Sequence, residues 1–135
     1  MTVFVDTNIL VRHLTQDPPE MGKRATAFLA DSESLYLTDL ILAETVYVLQ
    51  SVYKVGRPQV GVLARALVGS RNIVTDDPAL LIRTIDVYEH HRLSFADAYL
   101  AALAESESGS AVASFDRGLD RVPTLTRVEP APVDG

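Results

Sequence analysis

Four short runs, Val3-Phe4-Val5, Leu35-Tyr36-Leu37, Asn72-Ile73-Val74-Thr75 and Ala111-Val112-Ala113-Ser114, constrain this chain most. None alternates apolar with charged residues, so each suits a strand buried among other strands. Helix-length segments separate them. The first run leads into a helix over about 7–15, and Pro19 opens another through Ala30. Thr38 is an N-cap for a helix over about 39–54, which ends before Gly56-Arg57-Pro58, and a further helix covers about 58–68. Asp77-Pro78 start a helix reaching His91, and Ser94 starts one ending near Gly109. Thr124-Leu125-Thr126 is a candidate fifth strand. Short strands alternating with helices predict a single three-layer α/β domain, with a mostly parallel sheet of four to five strands flanked by helices. The domain is expected to span 1–128, with 129–135 a polar, proline-containing flexible tail.

The 135 residues are enough for one hydrophobic core. No apolar run reaches the roughly 20 residues of a membrane span, and no secretory signal pattern opens the chain, so a cytoplasmic location is expected. There is no cysteine, which removes disulfides, thiol nucleophiles and thiolate metal sites. The net charge is −6. A chain this acidic can handle nucleic acid only with help from a local basic patch, a cation or a partner.

Four carboxylates stand where burial would argue against them. Asp6 follows the first strand and Asp116 the fourth, and ligands in open α/β sheets bind beyond the carboxyl ends of strands. If those strands are neighbours, their carboxylates converge. Glu44 lies in the most apolar helix, on one stripe with Leu40, Ile41, Tyr47 and Val48, which is expected to face the core. Asp97 shares a helix face with Leu93, Leu100, Ala101 and Ala104. Such a concentration of negative charge calls for a cation, and oxygen donors without cysteine favour Mg²⁺ or Mn²⁺ over Zn²⁺. Each acid also has an ordinary structural task available. Asp6 can cap the following helix, Asp97 stands at capping-box distance from Ser94, Asp116 can begin a turn, and Glu44 can reach solvent from an edge. Asp120, one turn beyond Asp116, is a candidate accessory acid. Arg12, Lys23, Arg24, Arg117 and Arg121 are candidates for a basic rim, and Arg12, Arg117 and Arg121 for RNA contacts.

In Asp6-Thr7-Asn8 before Ile9-Leu10-Val11, in Glu44, in Phe95-Ala96-Asp97-Ala98 and in Ser114-Phe115-Asp116, the sequence resembles the PIN domain. The likeness is strongest to the VapC toxins of VapBC toxin–antitoxin pairs, and it runs from residue 3 to about residue 120. It implies a Mg²⁺- or Mn²⁺-dependent endoribonuclease in which Asp6, Glu44, Asp97 and Asp116 hold one or two ions and carry catalysis. Thr7, Asn8 and Ser114 would orient those ligands or the substrate phosphate. It further implies an RNA substrate, a homodimer, inhibition of translation and growth when the toxin is released, and a VapB-type antitoxin. One departure is Arg117-Gly118-Leu119-Asp120, where Leu119 stands for a residue that is often aromatic or apolar.

Other readings compete. A phosphatase with Asp6 as nucleophile would want an acid two residues on, where Asn8 stands. A phosphorylated receiver would need a lysine after a late strand, but the lysines are Lys23 and Lys54. A catalytically silent PIN-like RNA-binding or scaffold protein is the remaining alternative.

Overall fold

A computed structural model describes residues 1–133. In chain order it comprises β1 (Val3–Phe4), α1 (Thr7–Thr15), α2 (Pro19–Asp31), β2 (Leu35–Tyr36), α3 (Asp39–Ser51), α4 (Arg57–Val68), β3 (Ile73–Val74), α5 (Pro78–His91), α6 (Phe95–Ser106) and β4 (Val112–Ala113). A short 3₁₀ helix (Arg117–Arg121) and β5 (Arg127–Val128) complete it. This is a mixed α/β fold of helices around short parallel strands. No helix among the described residues is long and apolar enough to cross a membrane.

Local chemistry sets most helix starts. Thr38 Oγ1 accepts from the Ile41 amide at 3.2 Å, Asp77 Oδ1 from Leu80 at 3.1 Å and Ser94 Oγ from Asp97 at 3.1 Å. Each satisfies a donor that has no partner inside its helix. Proline stands in the first turn of α2, α4 and α5, where its missing amide costs nothing. Helix ends are set differently. Gln16 terminates α1 in the left-handed region at φ 55°, and its side-chain amide donates to His13 O, Gly22 O and Thr26 Oγ1. A Cβ at Gly22 would stand 2.6 Å from Gln16 Cα, so only glycine lets α2 approach the end of α1 this closely. α3 stops at Ser51 and α6 at Ser106, each three residues before its expected end. Lys54, at φ 56°, and Gly109, at φ 79°, are left in loops.

The strands divide differently from the expected single sheet. β1, β2 and β3 pair in that order, all parallel, with Val3 opposite Leu35 and Leu35 opposite Ile73. β4 and β5 form a separate parallel pair. Among the described residues β1 and β4 are therefore not hydrogen-bonded neighbours, and the condition for Asp6 and Asp116 to converge through adjacent strands is not met. β5 also lies beyond the expected Thr124–Thr126. The Leu125 amide is taken by Val122 O in a turn, so the ladder to β4 runs instead through Thr126 O and Val128 O.

One side of the strands carries the core: Val5, Leu35, Leu37 and Val112 pack with Leu42, Leu81, Ile85, Tyr88 and Ala101. The opposite row is more open than a sheet between two full helical layers would be. Phe4 is 64% and Val74 43% exposed, with the Phe4 and Tyr36 rings 5.0 Å apart between them. Of the expected tail, Glu129 accepts from Arg127 at 2.9 Å, and residues 130–133 hold no regular structure. Residues 134–135 of that tail lie outside the described residues.

Candidate active site

Asp6 ends β1 in extended conformation and caps α1, its Oδ1 accepting from the Thr7 amide at 2.8 Å. The strand delivers the residue and the helix begins at it, so the carboxylate is held at the junction while remaining exposed. Asp6, Thr7, Asn8 and Arg12 line a cleft of about 310 Å³, and Glu44 reaches the same cleft from α3. Val48, Val52 and Tyr53 complete its wall. Thr7 is buried, and its Oγ1 has no hydrogen-bond partner among the described residues. An orphaned hydroxyl at this depth costs free energy unless something supplies the missing bond.

Glu44 corrects the expected orientation of its helix. Leu42, Thr45, Val46 and Leu49 are the buried residues of α3, whereas Glu44 is exposed beside Leu40 (76%) and Tyr47 (67%). Ile41 and Val48 of the expected stripe are half-buried at its edge, but its centre faces outward, because α3 is apolar on both faces and periodicity cannot choose between them. Glu44 therefore avoids the desolvation that a core position would impose.

Asp97 and Asp116 do not line this cleft. Asp97 is half-buried in the first turn of α6, its amide bound by Ser94 Oγ. Asp116 caps the 3₁₀ helix, with Oδ1 accepting from Gly118 at 2.8 Å, while its own amide donates to Ser114 Oγ at 2.9 Å. Ser114 thus orients the Asp116 backbone. Among the described residues no three His, Asp or Glu side chains stand close enough together to hold one ion. Such a cage is not what Mg²⁺ needs, since it usually keeps several waters and takes one or two carboxylates together with substrate phosphates. Two accessible carboxylates, an amide and an orphaned hydroxyl in one cleft fit that requirement.

Asp120 is committed elsewhere. Both its oxygens take the Arg127 guanidinium, at 2.9 and 3.2 Å, which holds the carboxyl below its ordinary range and ties β5 to the 3₁₀ helix. Of the basic candidates, Arg12 Nη1 donates to Asp17 O at 2.9 Å, Arg121 Nη1 donates to Arg92 O at 3.2 Å, and Arg117 is exposed. His13 is half-buried against Thr26 Oγ1 at 2.7 Å, and burial lowers its pKa.

Sequence reasoning missed Asp17 and Tyr53. The Tyr53 hydroxyl donates to Asp17 Oδ2 at 3.0 Å, so Asp17 joins Arg12 and Tyr53 at one end of the cleft. Nothing local marks that contact, which spans 36 residues of chain. A second acidic grouping also lies outside the sequence reading. The Tyr99 hydroxyl donates to Asp39 and the Tyr36 hydroxyl to Asp76, and Asp77 adds its charge nearby.

Neither a curated protein nor a solved structure matches the chain. The family model of the PIN domain matches residues 3–125, a span that includes the cleft, all four candidate acids and both sheets up to β5. With that match the chain belongs to the PIN domain family, a fold whose members are generally nucleases, typically use divalent metal ions and often bind nucleic acid.

Proposed function

We propose that this chain is a metal-dependent endoribonuclease of the VapC type, the toxin of a toxin–antitoxin pair, with its nuclease unit in residues 1–128. The observation that carries the reading is the one cleft lined by Asp6, Thr7, Asn8 and Glu44, where the Thr7 hydroxyl has no partner among the described residues. In this reading Asp6 and Glu44 hold Mg²⁺ or Mn²⁺. Asp97 and Asp116 add negative charge and act through water, while Ser114 steadies Asp116. The chemistry such an ion supplies is neutralisation of phosphate charge and acidification of water. The Asn8 amide and the Arg12 guanidinium are placed along the same cleft to orient a phosphodiester. The exposed side chains of Leu40, Tyr47 and Val52 offer apolar surface for a second copy or a VapB-type antitoxin.

A specific observation favours the silent-scaffold reading: Asp97 and Asp116 do not line the cleft, and among the described residues no three acids stand close enough to hold one ion. Calorimetric titration of Mn²⁺ into wild type and Asp6→Asn, followed by cleavage of labelled RNA, separates the two. Wild-type binding and cleavage, both lost in the variant, are expected. RNA left uncut by a wild type that binds no Mn²⁺ would sink the nuclease assignment and leave the scaffold.

A further inference from the structure

A second depression lies beside the cleft, between α1 and α2, with a volume of about 580 Å³. That is within the range of small-ligand sites. Its floor is apolar, from Ile9, Met21 and Phe28, and its rim carries Asn8, Arg12 and Arg24. Asn8 and Arg12 also line the cleft that holds Asp6 and Glu44, so the two spaces share a wall.

Three features of this groove are out of keeping with an inert surface. Phe28 is 45% and Met21 43% exposed on a helix that otherwise buries only Gly22 and Ala25, leaving an aromatic ring open to the groove. Positive charge is gathered here although the chain carries net −6. Arg24 is exposed on the rim and, like six other arginines of the chain, is in no ion pair among the described residues, so its charge is available to a ligand in the groove. Finally, Arg12 is anchored through Nη1 to Asp17 O, and its buried Nε has no partner among the described residues.

We propose that this groove is a single-stranded RNA subsite, in which Phe28 stacks one base and Arg12 and Arg24 hold the flanking phosphates. The inference rests on the nuclease reading and extends it to how substrate is gripped. An exposed aromatic face beside one guanidinium in no ion pair and a second held in place by a backbone carbonyl is a combination that suits unpaired nucleotides. Every base offers a π-face for stacking, and each phosphate offers a bidentate partner for arginine. Continuity through Asn8 and Arg12 lets a strand run from the groove past the Asp6–Glu44 cleft. A purely apolar partner would leave the Arg24 charge without a use.

The test is fluorescence anisotropy of a short labelled single-stranded oligoribonucleotide in EDTA, where binding is read without cleavage. Phe28→Leu keeps apolar bulk but removes the ring, and affinity should fall about tenfold, whereas Phe28→Trp should retain it. Arg24→Gln should weaken binding and make the slope of log affinity against log salt shallower by about 0.7. Both positions are exposed, so unchanged thermal melts are expected. If wild type cleaves RNA while all three variants bind it as wild type does, the subsite is wrong and the nuclease reading stands. The same result is expected if the groove serves a protein helix instead. A wild type that neither binds nor cleaves RNA overturns both.

Discussion

The Tyr99 hydroxyl donates to Asp39 Oδ2 at 2.5 Å, joining the second turn of α6 to the first turn of α3. These are the helices that carry Asp97 and Glu44, so one side-chain bond helps set the spacing of two candidate acids. The hydrogen bond to Asp39, assisted by burial and by the charges of Asp39, Asp76 and Asp77, pushes the Tyr99 pKa up to about 12 from 10.0.

A raised phenol pKa means that the folded state prefers the neutral form. Its contribution to stability is complete below about pH 10 and is lost as pH rises through about 12. Tyr99→Phe should cost about 1 kcal/mol at neutral pH. Urea unfolding at pH 7 and pH 11 checks both parts: the wild-type advantage over Tyr99→Phe should shrink at the higher pH. An advantage that holds constant would remove Tyr99 from the alkaline limb.

The two faces of α3 should respond oppositely to truncation. Leu42 is fully buried and Leu42→Ala should cost about 2–5 kcal/mol. Glu44, two residues on and exposed, should tolerate Glu44→Ala within about 0.5 kcal/mol. Denaturant midpoints of the two variants decide the matter, and a large loss in Glu44→Ala would return that residue to the core.

Arg57 does structural work that its position at the start of α4 does not advertise. Its Nη1 donates to Tyr88 O at 2.7 Å and Leu93 O at 2.6 Å, and the guanidinium lies 4.4 Å from the Tyr88 ring centroid. Lysine has neither the planar fork nor the flat stacking surface. Arg57→Lys should lower the melting temperature by roughly 5 °C. A calorimetric scan showing no change would mean that water replaces both donors.

Helix starts were legible because their causes are local. Thr38, Asp77 and Ser94 cap within three residues, and Pro19 and Pro78 favour a first turn whatever lies across the fold. The same holds for the Asp6 position, where a strand must end and a helix begin. Helix ends were less legible: the left-handed backbone at Lys54 is not announced by any glycine or asparagine.

What pairs with what was decided in three dimensions. The sequence alone determined an α/β chain with carboxylates at strand ends and in apolar helices. Tertiary packing decided that β4 joins β5 rather than β1, that Glu44 faces outward, and that Asp120 belongs to Arg127. It also brought Asp6 and Glu44 to one cleft and opened a groove beside it. The physical reason is range. Capping and turn chemistry act over three or four residues, whereas a helix with two apolar faces, or a strand of two residues, is placed only by the summed contacts of elements far away in the chain.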